Sequence, residues 1–528
     1  MRVVTPEISW HAKEAVFSID VQPCANSKFQ RLATAGLDGN VRIWKVVKDD
    51  VMFLSNLSRH DKAVNVVRFS HVGNILASAG DDGSIILWRL SDKEEAPNIF
   101  EDEDGRNIEI WNASKIMRGH IEDINDLSWS YNDLFIATGS VDHSVILWDT
   151  EKGQKLAIFS DSKHFVNGVA WDPLGKYVAA LSCDRSLRIY NMQSKKLVHC
   201  VNKIQYGSKS DGHAKSQRIF HDETVVRRRL CFTVDGKILI TPAGCLQTEK
   251  TSPPAVNTTM MFTRGNLSKP SVYLPGLKEP ASVVACCPVL FQLRKTNGND
   301  NCSMFKLEYR NVFAVSSSDT ILLYDTQQSA PFAIISNIHY ASITDLNWSS
   351  DASFLAVSSR DGFCSIIHFG KHEIGERYTK PKASKNTATT LGSSDSNKSV
   401  VENKPQTKVA LKEPENKFMS TTFAKMSVAN KENGMSEKSK STEVPITSEV
   451  TAKVKDQTKE MAAAQQTSSS SSPKPRRVTL TTISKDSSPS QKAFASAQER
   501  KENKPTTKQS SDGESAPRRV QLTTVKLD

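Results

Sequence analysis

The 528-residue chain has no apolar run approaching the roughly 20 residues of a membrane-spanning helix. Its first residues lack the apolar core of a secretory leader, so neither a membrane span nor export is expected. Cysteine is sparse and badly placed for metal. None of the nine cysteines forms a Cys-x-x-Cys pair, and Cys286 and Cys287 are adjacent, a poor arrangement for structural zinc. Most sit in apolar runs, as Cys231 and Cys364 do, so they read as buried free thiols in a reducing, intracellular compartment. Nothing in the sequence calls for a cofactor or a small-molecule substrate. All nine Cys and all eight Trp lie before residue 365, and the remainder is dominated by Ser, Thr, Lys, Glu and Pro. Such a segment buries too little apolar surface to offset ordering entropy, so residues 371–528 are expected to be a disordered tail. From Lys371 onward there are 29 basic and 18 acidic residues. The formal charge of +11 therefore belongs to the tail, and the front part is close to neutral.

The front part is built from a repeated unit, best seen in residues 118–149. There a Gly-His pair precedes an alternating run at Leu127 and Trp129, a buried run at Phe135–Ala137, and a third at Val145–Trp148. Asn132-Asp133 and Asp142-His143 supply the turns between them. The pattern recurs: Asp38 before Trp44, Asp82 before Trp88, Asp142 before Trp148 and Asp184 before Tyr190, each at the same interval. His11, His60, His120 and His164 stand upstream. The spacings from Trp44 to Trp88 and from Trp148 to Tyr190 fall in the roughly 40–45-residue range of propeller blades. Residues 228–265, 281–325 and 339–362 carry three worn copies, which makes seven. The extra segment at residues 3–10 is expected to close the ring by completing the last blade, because closure removes exposed strand edges.

Three units carry a full set of polar residues: His11, Thr34, Asp38 and Trp44; His60, Ser78, Asp82 and Trp88; His120, Thr138, Asp142 and Trp148. A hydroxyl, a histidine and an aspartate suggest a hydrolase triad. An active site occurs once, however, and this set occurs three times. The stronger reading is a buried hydrogen-bond chain that clasps each blade, with no catalytic role. Ala180 and Val357 replace the hydroxyl in the fourth and seventh units, which should therefore be held by packing.

Two further features point outward. The insert between Trp88 and Trp148 is acidic, with Glu94, Glu95, Glu101, Asp102, Glu103 and Asp104; it reads either as a solvated loop or as a lure for a basic partner. Arg227, Arg228 and Arg229 form a short basic counterpart. In the tail, PRRVTLTTISKD at residues 475–486 is echoed by PRRVQLTTVKLD at 517–528, with eight of twelve positions identical. Val478 and Leu480, and likewise Val520 and Leu522, lie two apart and share one face of an extended strand. The preceding pairs, Arg476-Arg477 and Arg518-Arg519, suit bidentate bonds to carboxylates. The design fits strand addition to a partner's open sheet edge, with two copies raising avidity. A nuclear import signal is the competing reading, although it would not need Val-x-Leu. Ser472-Pro473 and Ser488-Pro489 flank the first copy, where phosphorylation would set negative charge beside the arginines.

The repeats identify residues 1–370 with the WD-repeat family, an all-β, seven-bladed WD40 β-propeller. The pairing of that propeller with Arg-Arg-Val-x-Leu motifs resembles the WD-repeat middle subunits of chromatin assembly factor 1. Local stretches at 60–70, 171–190, 241–245 and 322–329 share the likeness. The resemblance implies a nuclear histone chaperone subunit that assists deposition of histones H3/H4 on replicated or repaired DNA. Its implied partners are the large subunit, held by the propeller, histones H3/H4, direct or bridged, and the anti-silencing-function chaperone. The last would be docked by Arg476, Arg477, Val478 and Leu480 and by Arg518, Arg519, Val520 and Leu522. The alternatives are a replication-independent HIR-type chaperone, whose second large folded region has no counterpart in this sequence, and a general WD-repeat adaptor such as a ubiquitin-ligase substrate receptor.

Overall fold

Short β-branched runs punctuated by Asp and Gly turns give a chain in which every described element is a β-strand. The computed structural model describes residues 1–379, except 24–28, 49, 92–106, 207–214, 223–224, 226, 247–255, 276 and 295–302, together with 479–482 and 522–523. The strands form seven antiparallel sheets, or blades, in chain order, plus a hairpin of Lys203–Tyr206 and Lys215–Arg218 between blades four and five. In blade one, Val16–Val21 is innermost, followed by Arg31–Gly36, Asn40–Val47 and Asp50–Ser58 at the rim. The innermost strands of blades two to seven are Val64–Phe69, Ile124–Trp129, Val166–Trp171, Cys231–Phe232, Val283–Gln292 and Ile343–Trp348.

Burial falls from the axis to the rim. Val166–Trp171 is buried at every position, whereas the outer strand Gln154–Phe159 is exposed along most of its length. Each pair of neighbouring blades encloses one apolar layer, and the seventh layer joins blade seven back to blade one. In that layer Trp10, Ile19, Leu32 and Trp44 meet Phe354, Ala356 and Ile366. Bulges recur at one place in the repeat, at Val16/Ser18, Val64/Val66, Ile124/Asp126, Val166/Gly168 and Ile343/Asp345. A bulge sharpens local twist and re-aims the next side chain, and at Ser18, Asp126 and Asp345 that side chain accepts an N–H of the following blade.

The ring closes through the N-terminus. Arg2–Val4 runs antiparallel to Cys364–His368, with Val3 opposite Ile367. Only these three residues of the closing segment are strand; Trp10, expected at its end, is instead fully buried with its ring 4.9 Å from that of Trp44. At the other end, packed chain continues past the boundary expected at residue 370. Ile374 is buried, Glu376 accepts the Gln292 N–H at 2.8 Å, and the Tyr378 N–H donates to the Leu290 carbonyl at 2.8 Å.

Seven described cysteines are free thiols. Cys183, Cys287 and Cys364 are buried as expected, but Cys231, Cys245 and Cys286 are half-buried and Cys200, on an outer strand, is exposed. Most of the tail lies outside the described residues. Thr479–Thr482 and Leu522–Thr523 are described, and they form short strands on the sheet of blade six.

Closure by three residues makes a direct prediction. Deleting residues 1–5 removes the rim strand of blade seven and leaves Cys364–His368 as an open edge. The melting temperature should then fall by several degrees and light scattering should rise. An unchanged melting curve would show that the ring does not depend on this strand.

Candidate functional site

The three polar sets assemble as hydrogen-bond chains running inward from the turns. In blade one the Trp44 indole N–H donates to Thr34 Oγ1 at 2.9 Å, which lies 2.9 Å from His11 Nε2; His11 Nδ1 lies 2.8 Å from Asp38 Oδ1. In blade two, Trp88 donates to Ser78 Oγ at 2.9 Å, and His60 bridges Ser78 at 2.7 Å and Asp82 at 2.8 Å. In blade three, Trp148 donates to Thr138 at 2.8 Å, and His120 bridges Thr138 at 2.7 Å and Asp142 at 2.8 Å. Thr34, Ser78 and Thr138 are wholly buried, so no substrate carbonyl reaches their hydroxyls. Burial alone would push the Asp82 carboxyl up, but the His60 bond and charge hold it at about 2. Asp38 and Asp142 are likewise held below the usual range against burial, by His11 and His120. Burial lowers His11 despite Asp38 beside it. These are clasps between an ionised carboxylate and an imidazole.

Blades without a full set use other polar anchors, and blade four, expected to rely on packing because of Ala180, is one of them. In blade four, Asp184 bonds Arg188, which also donates to Ser182 Oγ at 2.7 Å. In blade five, fully buried Arg228 donates to the Ser182, His221 and Val225 carbonyls at 3.2, 2.9 and 3.1 Å. Blade seven was expected to rely on packing because of Val357. Instead the hydroxyl comes from the next strand: Ser365 Oγ lies 3.1 Å from His339 Nε2, and His339 Nδ1 lies 3.1 Å from Asp361. Ser365 also meets Thr5 at 2.6 Å, tying the clasp to the closing N-terminal segment.

The axis carries a second polar system. Arg229, at the start of blade five, bridges Val283 of blade six through backbone bonds, whereas between several other neighbouring blades the inner strands diverge, which leaves their N–H groups needing acceptors. Side chains of the preceding blade provide them. Ser18 and Asp20 accept Val67 and Phe69 N–H at 3.2 and 2.6 Å, Asp126 and Ser128 accept Val169 and Trp171 at 2.9 Å each, and Asp345 accepts Ile19 at 3.1 Å. Arg68 balances Asp345 at 2.8 Å. Arg229, 3% exposed, crosses the axis to bond Asp345, lies 3.5 Å from Asp126, and donates to the Asn65 carbonyl at 2.7 Å. Burial pushes Asp345 up, but Arg229 and Arg68 draw it below the usual carboxylate range. Asp20 goes the other way, raised by burial to about 7 in spite of Arg68. The Arg227–Arg229 triplet therefore does not form an outer basic patch. Arg228 and Arg229 are structural, and half-buried Arg227 lies over the Phe17 ring at 5.0 Å. The signal for this system was present in the sequence, since Ile-x-Asp-Leu-x-Trp occurs at 124–129 and again at 343–348.

The acidic loop residues Glu94, Glu95, Glu101, Asp102, Glu103 and Asp104 lie outside the described residues, as do Arg476, Arg477, Val478, Arg518, Arg519 and Val520. Leu480 and Leu522 are described, both in strand and opposite one another.

Residues 1–374 match the family model described as the CAF1B/HIR1 beta-propeller domain. The chain belongs to this family. The match takes in all seven blades and stops before both tail motifs. Among relatives, the B subunit of chromatin assembly factor 1 from Gallus gallus is 48% identical over 391 residues, 71% of this chain and 69% of that protein. The protein of the same name from Saccharomyces cerevisiae is 32% identical over 424 residues, 71% of this chain and 87% of that one. The protein HIR1 of Candida albicans is 28% identical over 385 residues, 66% of this chain and 40% of that protein. Within the CAF1B/HIR1 family, then, the chain is more similar to these chromatin assembly subunits than to this HIR1 protein, and the family is one of scaffold-type propellers.

The buried charges of this propeller can be tested at two points. Asp82, at about 2 when folded against an ordinary 3.8, binds its proton less readily in the folded state. The resulting stability is present above pH 4 and is lost as pH falls toward 2, so Asp82→Asn should be less stable than wild type by about 2 kcal/mol at pH 6. The difference between the two proteins in denaturant unfolding should close by about pH 2; a gap independent of pH would contradict the clasp. Arg229→Met strands Asp126 and weakens Asp345, and should cost about 3 kcal/mol or more. A surface-docking arginine would leave the unfolding midpoint unchanged.

Proposed function

We propose that this chain is the propeller subunit of a nuclear histone chaperone that assists deposition of H3/H4 on replicated or repaired DNA. The observation that carries this reading is the 48% identity, across 71% of the chain, to the B subunit of a chromatin assembly factor 1. The physical logic supports it. A ring braced by buried clasps and a charged axis is a rigid platform with no exposed nucleophile among its tetrads, suited to holding a large subunit rather than to turning over a substrate. A near-neutral propeller tolerates basic histones without trapping them, and the acidic residues Glu101, Asp102, Glu103 and Asp104 would attract them.

In this reading the tail reaches a second chaperone of the anti-silencing-function type. Val478 and Leu480, then Val520 and Leu522, enter apolar positions beside a sheet edge, while Arg476, Arg477, Arg518 and Arg519 take carboxylates. The extended form of residues 479–482 supports strand addition as the docking mode. A helical docking mode would need apolar residues both three and four apart; the motif has pairs three apart, Leu480/Ile483 and Leu522/Val525, but none four apart.

Replacing Val478, Leu480, Val520 and Leu522 with Asp should lower calorimetric affinity for that chaperone at least about tenfold, since charges would enter desolvated positions. Retention of the large subunit by the same variant should be unaffected. Unchanged chaperone affinity would remove the docking role; loss of the large subunit instead would move that contact from the propeller to the tail.

A further inference from the structure

We propose that the outer edge of blade six is a docking site for the chain's own tail, held there as an added strand. The rim strand of that blade is Ala333–Ser336, and residues 479–482 run antiparallel to it. Ala333 stands opposite Thr482, Ile334 opposite Thr481, Ile335 opposite Leu480 and Ser336 opposite Thr479. The second motif continues the sheet, with Leu522 beside Leu480 and Thr523 beside Thr481 in parallel. Both copies of the duplicated motif thus meet on one blade.

The choice of blade has a physical reason independent of the tail. Sheet edges are protected against added strands by charge and proline. Every other described rim strand carries such a residue: Arg2 in blade seven, Asp50 in blade one, Lys115 and Arg118 in blade two, Lys155 in blade three, Lys196 in blade four and Pro275 in blade five. Ala333-Ile334-Ile335-Ser336 has none. Its match, Thr479-Leu480-Thr481-Thr482, is uncharged and rich in β-branched residues. Ile335 is fully buried and Ile334 half-buried, so the edge is anchored and does not fray. About 100 residues separate the propeller from the tail strand, more chain than is needed to return to the rim. Tethering also keeps the local concentration of the motif high, so a weak four-residue ladder suffices.

The contact has a consequence for recognition, and this part rests on the docking role assigned to the motifs above. A strand has two edges. In the docked tail one edge of residues 479–482 is taken by blade six and the other by Leu522–Thr523. A partner's sheet edge meets Leu480 only after the tail has left the rim, so the apparent affinity of the full chain is reduced by the fraction of tail that is free. Blade six then acts as a store for an unengaged motif and shields an otherwise open edge from self-association.

Hydrogen exchange read by mass spectrometry on the full chain, with no partner present, tests the docking alone. Amides of residues 479–482 should exchange at least about tenfold more slowly than in a synthetic peptide of residues 475–486. Ile334→Lys, which puts a charge on the rim, and Thr481→Pro, which removes a tail donor without touching the propeller, should each restore the peptide rate. If Ile334→Lys misfolds, Thr481→Pro decides. Peptide-rate exchange in the wild-type chain, or protection that survives in Thr481→Pro, would overturn the proposal. So would protection that grows with protein concentration, because the occupant would then be the tail of a second copy. None of these outcomes bears on whether the motif binds a separate chaperone, which the calorimetric test decides independently.

Discussion

Everything in this propeller depends on how the inner strands are joined. Radially arranged blades splay apart, and where their innermost strands do not share a ladder they leave N–H groups facing a neighbour with no backbone acceptor. A carboxylate or hydroxyl from the preceding blade accepts them: Ser18 and Asp20 for blade two, Asp126 and Ser128 for blade four, Asp345 for blade one. Burying those carboxylates creates a need for countercharge, which Arg68 and Arg229 meet from across the axis. The charged axis is thus a result of blade geometry. It also ties blades two, three, five and seven together, because Arg68, Asp126, Arg229 and Asp345 cannot move apart without separating buried ions.

The clasps nearer the turns show the same principle with more freedom of means. His–Ser/Thr–Asp–Trp serves blades one to three, Asp184–Arg188 serves blade four, backbone carbonyls around Arg228 serve blade five, and a hydroxyl from a different strand serves blade seven. What persists is a buried side chain bonded to partners near the turn; the residue types vary. Blade seven joins this clasp to closure, since Ser365 bonds both His339 and Thr5. The N-terminal strand therefore completes a sheet and a hydrogen-bond network together.

A scaffold so built leaves little for its rim to do except meet other chains. Most rim strands carry charge or proline, and blade six does not. The duplicated tail motif, whose composition suits strand addition, sits on that edge. In the proposed reading, one physical property of the segment, uncharged and β-prone, serves both docking to a partner and storage on the propeller.

Much of this could be read from the sequence. Turn residues, alternation and the recurring Asp-to-Trp interval determine seven blades, because those signals are local and the repeat displays them several times. The tetrads are legible for the same reason, and repetition separates a clasp from a catalytic triad. The tail duplication stands out against its low-complexity surroundings. Other features were decided only in three dimensions. Arg229 looked like a surface charge because its neighbours in sequence are arginines, yet its partners Asn65, Asp126 and Asp345 come from three other blades. Ser365 replaces the missing hydroxyl of Val357 across a strand pair that sequence position does not reveal. The edge on which the tail settles likewise depends on which of seven rims is left undefended. Local chemistry thus determined the blades, and the closed ring decided which distant charges and edges meet.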